Sequence, residues 1–104
     1  MRATPQTVEI GLPLFIFRDE FGYFSSFCPA LNLSGQGRSE ESAIASFYSM
    51  VEIFLEETMR KGTLDEVLRE MGWTYHNESR PEPPLTTIPE YLFSQQEVFV
   101  PLPV

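Results

Sequence analysis

Few residues of this chain could act as a nucleophile or as a metal ligand. Cys28 is the single cysteine and His76 the single histidine, so a serine triad or a metal site built on several thiolates and imidazoles lacks members. A Cys28–His76 nucleophile pair is the one arrangement that the composition permits. Cys28 stands in an apolar run without a neighbouring cation, where a cysteine is usually inert packing. We therefore expect no catalytic, metal-binding or cofactor-binding residue.

The carboxylates are numerous, but their positions do not favour acid–base catalysis. Asp19 and Glu20 fall in a charged turn. Five others lie mostly on the solvent side of a predicted helix or in its first turn: Glu40, Glu41, Glu52, Glu56 and Glu57. An acid–base pair or a magnesium site needs carboxylates that converge in a pocket, and among the predicted strands only Glu9 is acidic. Gly35-Gln36-Gly37 lacks the further glycine of a dinucleotide-binding loop. We interpret the chain as a non-enzyme without cofactors.

The charge balance limits the partners of the protein. Fifteen acidic residues against seven basic ones give a formal net charge of -8 over 104 residues. Such a field repels a phosphate backbone and argues against direct binding of nucleic acid. The same field attracts and steers a basic protein, although acidic surfaces also serve solubility alone. A basic protein partner and no partner at all both stay open at this point.

The cysteine count and the first residues indicate the compartment. A single cysteine cannot form an intramolecular disulfide, which is typical of a reducing environment. The first twenty residues are interrupted by Pro5, Gly11 and Pro13, and they lack the long apolar run of a secretory leader or of a membrane span. We expect a soluble, cytoplasmic protein that does not contact membranes.

The first third of the chain predicts an antiparallel sheet. Thr7 to Phe17 alternates like a strand, with Pro13 placing it at an edge or interrupting it near that point. A charged turn that ends at Gly22 leads into a return strand over Tyr23 to Cys28. Leu31 to Gly35 alternates again and predicts a third strand. Because no helix separates these strands, they must pair antiparallel.

Two helices are predicted after the sheet. Ser39 is a helix-capping residue, and a stripe at three- and four-residue spacing runs from Ala43 to Thr58. Arg60 and Lys61 then place two cations at the end of the helix, with Gly62 as the stop. Thr63 to Glu66 fits a capping box, which predicts a short second helix that ends at Gly72. Trp73 to His76 then predicts a last strand of the same sheet.

The remaining residues, 77–104, read as an arm. Residues 77–90 contain four prolines among polar neighbours and favour neither a helix nor a central strand. Apolar residues return after them and need a surface to cover them: their own domain, a second subunit or a different protein. The candidate interface residues are Tyr91, Phe93, Val98, Phe99, Val100 and Leu102.

The order of these segments resembles the HicB-like antitoxin family. The resemblance rests on an aromatic strand that ends in a proline and a leucine (YFSSFCPALNLSGQG), on a hydroxyl-capped helix start (GRSEESA) and on the ending GTLDEVLREMGW. It covers about two thirds of the chain and is similar to the stand-alone branch of the family. Ser42 stands where the family has a glutamate.

The resemblance implies a fold, a function and a partner. It implies a shortened ribonuclease H-like fold without nuclease activity, which binds and occludes a small basic HicA-type toxin. Many family members add a helix-turn-helix or ribbon-helix-helix segment for operator DNA. Residues 77–104 contain no such helices, so the resemblance here does not extend to DNA binding.

Together these observations predict an α+β protein with two regions. Residues 1–76 form a HicB-like domain, in which a three- to four-stranded antiparallel sheet is covered on one face by a long helix and a short second helix. Residues 77–104 form the C-terminal arm. The expected function is that of a non-catalytic, antitoxin-like interaction protein that binds a small basic toxin. The alternative is an orphan α+β domain that associates with itself, as a homodimer or higher oligomer, through the arm or a sheet edge.

Overall fold

The computed structural model describes residues 7–76 and 80–103, with only the backbone of His76 and Arg80. The elements in chain order are β1 (Thr7–Arg18), β2 (Phe24–Cys28), β3 (Leu33–Gly37), α1 (Glu40–Lys61), α2 (Leu64–Glu70), β4 (Thr74–His76), β5 (Arg80–Glu82) and β6 (Ser94–Pro103). Four strands form one antiparallel sheet in the order β3-β2-β1-β6. The expected α+β class, with an antiparallel four-stranded sheet and two helices, is confirmed.

β1 is a central strand although it contains a proline. Its ladder with β2 begins where Phe15 lies opposite Phe27, so Pro13 lies outside that ladder. On the other side Pro13 lies opposite Glu97 of β6. A proline is tolerated in a strand where no partner needs its missing N–H. β1 therefore has one strand partner, β6, around Pro13, and it has partners on both sides only at Phe15 and Ile16.

β3 begins at Leu33, two residues later than the sequence analysis predicts. The N–H of Leu31 donates to the carbonyl of Cys28 at 3.2 Å, and the N–H of Asn32 donates to that of Pro29 at 3.3 Å. Asn32 has a left-handed φ of 53°, which asparagine tolerates better than most residues. The prediction of a strand at Leu31 was wrong because a tight turn uses these residues.

The fourth strand of the sheet is β6 and not the segment after Trp73. β4 pairs with β5 in a separate two-stranded sheet, so the predicted strand Trp73–His76 was wrongly assigned to the main sheet. β6 pairs with β1 along its whole length, from Thr7 opposite Pro103 to Ile16 opposite Ser94. This long ladder also buries alternate side chains of β6, which the short Thr74–His76 segment could not match.

The ends of the two helices differ from each other. Ser39 and Ser42 form a reciprocal capping box at the start of α1, and Gly62 ends the helix with a φ of 70°. Thr63 makes no side-chain cap at α2, so the predicted capping box there was wrong. The N–H of Thr63 already closes α1 by donating to the carbonyl of Thr58 at 2.8 Å. This leaves Thr63 outside the extended conformation that a capping side chain needs.

Gly35 allows α1 to lie directly on β3. A Cβ at Gly35 would stand 2.4 Å from the backbone nitrogen of Phe47 and 2.7 Å from the carbonyl oxygen of Ala43. Beside this contact, the buried Ser26 hydroxyl donates to the Ala43 oxygen at 2.8 Å. The helix and the sheet therefore meet backbone to backbone, without a layer of side chains between them.

The core lies between the sheet and the helices. Its members come from β1, β6 and α1, from the end of β2 and the turn after it, and from the residues around α2. They include Leu12, Leu14, Ile16, Leu31, Phe47, Leu68, Trp73, Val100 and Leu102. Trp73 is fixed by a 2.7 Å hydrogen bond from its Nε1 to the carbonyl oxygen of Ala30. Phe15 is buried too, but it lies outside this cluster, on the sheet face that points away from α1.

Replacement of Gly35 by alanine should test the contact between α1 and β3. Because the new methyl group meets backbone atoms that cannot rotate away, we expect Gly35→Ala to lower the free energy of unfolding by about 1–3 kcal/mol. The measurement is urea denaturation of the purified chain. Ser34→Ala, on the adjacent exposed residue of β3, is the matched control and should change stability by less than about 0.5 kcal/mol. Equal midpoints for the two variants would contradict the close approach.

Candidate interaction surface

The six candidate interface residues occupy different places in the structure. Val98, Val100 and Leu102 are buried in the core cluster of their own chain. Phe99 points to the other side of β6, where its ring lies over Gly11 and is half exposed. Tyr91 and Phe93 are exposed just before β6 begins. The structure therefore brings Tyr91 and Phe93 to one surface and separates them from the other four residues.

The turn between β1 and β2 presents two more exposed aromatic side chains. Phe21 is 78% exposed and Tyr23 is about half exposed. Asp19 fixes their backbone, because its Oδ1 accepts from the N–H groups of Phe21 at 2.8 Å and Tyr23 at 2.9 Å. Gly22 closes the turn with a φ of 87°. The rings are thus carried by a turn whose conformation is set by hydrogen bonds.

The segment before β6 reaches the same end of the sheet. The N–H of Phe93 donates to the carbonyl of Ile16, near the end of β1, at 2.8 Å. The Phe93 ring contacts that of Phe24 edge to face, with 5.2 Å between centroids. Tyr91, two residues earlier, is 93% exposed. We call the group formed by Phe21, Tyr23, Tyr91 and Phe93 the hairpin end.

Two clefts open at the hairpin end. The first, of about 400 Å³, lies on the β2–β3 side and is lined by Phe17, Arg18, Asp19, Tyr23, Phe24, Ser25 and Gln36. The second, of about 550 Å³, lies between the turn and the segment before β6, and is lined by Arg18, Asp19, Glu20, Tyr91, Leu92 and Phe93. Because both clefts include Arg18 and Asp19, they flank the end of β1.

Cations stack on two of the rings at this end. The guanidinium of Arg18 lies 5.7 Å from the centre of the Phe24 ring, and that of Arg38 lies 5.7 Å from the centre of the Tyr23 ring. Aromatic residues and arginine are the residue types that protein interfaces use most in their centres. The composition of the hairpin end is therefore typical of a protein-binding surface.

Both edges of the sheet carry features that oppose the addition of a further strand. At β3, the N–H of Gln36 already donates to the Ser46 hydroxyl of α1 at 3.2 Å. At β6, Pro101 and Pro103 offer no N–H, and Glu97 adds a charge. Prolines and charges are common protections of edge strands. A partner of this domain would thus gain more from its clefts and rings than from its edges.

A carboxylate connects the start of α1 to β6. Glu40 accepts a hydrogen bond from the Ser94 hydroxyl and another from Nε2 of Gln96 at 2.9 Å. These two donors hold the pKa of the Glu40 carboxyl below its ordinary value. The link fixes the first residues of β6, and with them the position of Phe93 next to the hairpin turn.

The groups that could do chemistry are placed unfavourably for it. Cys28 is fully buried, and this burial raises the pKa of its thiol although the backbone N–H groups of Leu31 and Ala30 oppose the shift. A protonated, buried thiol is a poor nucleophile. The side chain of His76, the partner considered from the sequence, lies outside the described residues. Within the described ranges, no three His, Cys, Asp or Glu side chains are grouped to hold a metal ion.

The comparisons with known proteins add no assignment. The chain matches no protein-family model, no curated protein and no solved structure. None of the helices in the described part of the chain is long and apolar enough to cross a membrane. The resemblance to HicB-like antitoxins therefore rests on the sequence motifs alone.

Two of the four hairpin-end residues are among the interface residues that the sequence predicts. Tyr91 and Phe93 were candidate residues, whereas Phe21 and Tyr23 were assigned to a turn and a strand without a functional role. The available signal was an aromatic residue on each side of Gly22, within a charged turn that has no core to bury them. Their neighbourhood with Tyr91, about seventy residues later in the chain, could not be read from local patterns.

Loss of the Asp19 carboxylate should loosen the hairpin turn. We expect Asp19→Ala to lower the free energy of unfolding by about 1 kcal/mol, because two backbone N–H groups lose their acceptor. Amide hydrogen exchange at Phe21 and Tyr23 should become faster in the same variant. Glu20→Ala removes a neighbouring carboxylate that accepts no hydrogen bond in the described structure, and it should leave both measurements close to the wild type. Unchanged exchange in Asp19→Ala would contradict this role.

The Glu40 link should make stability depend on pH. Since folding lowers the pKa of Glu40, its contribution is present above the ordinary pKa of 4.5 and is lost as the pH falls through the lower folded value. We expect Glu40→Gln to lower the melting temperature at neutral pH, and the difference from wild type to shrink in acid. Glu41→Gln removes a charge from the same helix turn without these hydrogen bonds and serves as the control. A constant difference across the pH range would refute the link.

Proposed function

We propose that this chain is a non-catalytic interaction protein whose hairpin end binds and occludes a small basic protein. The observation that carries the proposal is the cluster of four exposed aromatic side chains around two clefts. Single exposed apolar residues are ordinary on protein surfaces, but a group of them beside clefts is typical of binding sites. Occlusion requires a surface of this kind and no reacting group.

The hairpin end is suited to binding because the backbone of its turn and the Phe93 ring are held before a partner arrives. Asp19 fixes the turn that carries Phe21 and Tyr23, and Phe93 is held against Phe24. Ordering flexible side chains costs free energy on binding, so a preordered surface retains more of its contact energy. Buried aromatic anchors commonly contribute about 2 kcal/mol or more each in interfaces.

Charge supports a basic partner over a neutral or acidic one. On α1, Glu57 forms ion pairs with Arg60 at 2.8 Å and Lys61 at 3.7 Å. The exposed carboxylates of Glu41, Glu52 and Glu56 have no ion pair in the described structure. With the net charge of -8, these groups produce a field that speeds the approach of a cationic protein.

The resemblance to HicB-like antitoxins supports a more specific version of the proposal. In this version the basic partner is a HicA-type toxin that cleaves messenger RNA, and the chain acts by covering it in the cytoplasm. The uncharged, buried Cys28 fits a reducing compartment. Nucleic acid is not proposed as a direct ligand, because the acidic surface opposes it.

Self-association is the second candidate function. Leu85 and Ile88, in the proline-rich segment before the hairpin end, are strongly exposed and would gain from contact with a second copy. The acidic surfaces of two copies oppose this contact. Concentration-dependent sedimentation of the purified chain, together with Leu85→Ser and Ile88→Ser variants, separates the two candidates. A dimer that both substitutions dissociate would favour self-association.

Binding of a small basic protein encoded beside this chain tests the first candidate. We expect calorimetry of the purified pair to show a complex that Phe21→Ser combined with Tyr91→Ser weakens about tenfold or more. Ile53→Ser, at a 54% exposed position of α1, removes a similar apolar group far from the hairpin end and should not affect binding. Deletion of residues 91–104 is unsuitable because it removes β6.

Two results would exclude the proposal. One is the absence of a complex with every small basic protein encoded next to this chain. The other is a complex in which the hairpin-end variant and Ile53→Ser bind equally well, since the docking surface would then lie elsewhere.

A further inference from the structure

We infer that the cleft between the hairpin turn and the segment Tyr91–Phe93 takes an arginine side chain of the partner. The inference rests on the proposed function and names the chemical group that this function would recognise. It concerns the larger of the two clefts at the hairpin end, of about 550 Å³. We call it the turn cleft.

The walls of the turn cleft combine rings with carboxylates. Tyr91 and Phe93 line one wall, and Asp19 and Glu20 line the wall formed by the turn. One oxygen of Asp19 holds the turn, while Glu20 is exposed and has no hydrogen bond or ion pair in the described structure. A planar cation that stacks on a ring and pairs with a carboxylate meets both walls at once.

The neighbouring rings indicate that this stacking is favourable here. Tyr23 carries the guanidinium of Arg38, and Phe24 carries that of Arg18. Tyr91 is 93% exposed, and no cation of the described residues lies over it. Tyr91 is therefore an aromatic ring at this end of the sheet that could stack with a cation from another molecule.

Arg18 also lines the turn cleft and carries a like charge. Its guanidinium is engaged above the Phe24 ring, at 5.7 Å from the centroid, and two acidic side chains of the same cleft outnumber it. Glu90 adds a third carboxylate next to Tyr91 in the chain. The net field at the cleft is acidic, which favours the entry of a cation.

Arginine fits the turn cleft better than lysine. Its guanidinium is planar, stacks on aromatic faces and can donate two parallel hydrogen bonds to one carboxylate. The ammonium group of lysine is a strongly hydrated point charge that gains less from a ring face. The cleft thus selects a partner that presents an exposed arginine at the centre of its own binding surface.

The first test uses the isotope-labelled full chain and a small probe. Acetyl-arginine amide is titrated at low ionic strength while the backbone amide resonances are followed by NMR. We expect saturable shifts at Asp19, Glu20, Tyr91 and Phe93. Acetyl-citrulline amide, a neutral molecule of nearly the same shape, should not produce them. Equal shifts with both probes, or arginine shifts centred on Glu52 and Glu56 of α1, would overturn the inference.

Substitutions in the cleft provide the second readout. Tyr91→Ser and Glu20→Gln should each weaken arginine binding by about two- to fivefold, since an exposed cation–π contact and an exposed ion pair contribute at this level. The same changes on α1, Tyr48→Ser and Glu52→Gln, are matched controls and should have no effect. If both cleft variants bind the probe like wild type, the inference fails.

The inference and the proposed function can fail separately. If the basic protein binds and Phe21→Ser weakens it while Glu20→Gln and Tyr91→Ser do not, the function holds and the turn cleft is not the arginine site. If the arginine probe binds in the cleft but no basic protein forms a complex, the cleft is a guanidinium site, and the proposed function with its partner arginine is wrong.

Discussion

The fold depends on the contact between α1 and β3 at Gly35. Because this residue has no side chain, the backbone of the helix lies directly against the backbone of the strand. This contact brings Ser46 to the N–H of Gln36 and the Ala43 carbonyl to the hydroxyl of Ser26. It also places Glu40 where its carboxylate reaches β6. Gly35, in the edge strand β3, thereby orients α1. In this orientation α1 binds an edge N–H of β3 and a side chain of β6, the strand at the other edge.

Local sequence patterns were sufficient to predict the strand β1 and both ends of the helix α1. The alternation along β1, the capping serine before α1 and Gly62 at its end each depend on residues within one turn or one strand. Two of the errors arose where neighbouring residues compete for the same backbone hydrogen bonds. Asn32 enters a turn in place of starting β3, and Thr63 completes α1 in place of capping α2. A capping motif shows that a residue is able to cap a helix. Whether it does so depends on the hydrogen bonds that end the preceding element.

The candidate surface was less accessible to sequence reasoning because it is assembled from distant segments. Apolar residues in the arm indicated that something must cover them, and the structure divides them by strand parity: Val98 and Val100 enter the core, while Phe99 points away. An alternating pattern predicts that a segment forms a strand, but it does not predict with which other strand that segment pairs. Phe21 is a second example. An aromatic residue in a turn can be recognised as part of a binding surface only when Tyr91 is known to lie at the same end of the sheet.

The pairing of β1 with β6 has a consequence for how the protein folds. Thr7 lies opposite Pro103, so the longest ladder of the sheet joins residues at the largest separations that the described chain offers. Contacts between such distant residues slow folding, because the intervening chain must lose its freedom before they form. During synthesis, β1 is made long before Ser94–Pro103, and until β6 is available residues 7–14 have no strand partner in the sheet. In that interval the nascent chain resembles an aggregation-prone intermediate, for which a chaperone or a waiting partner would provide protection.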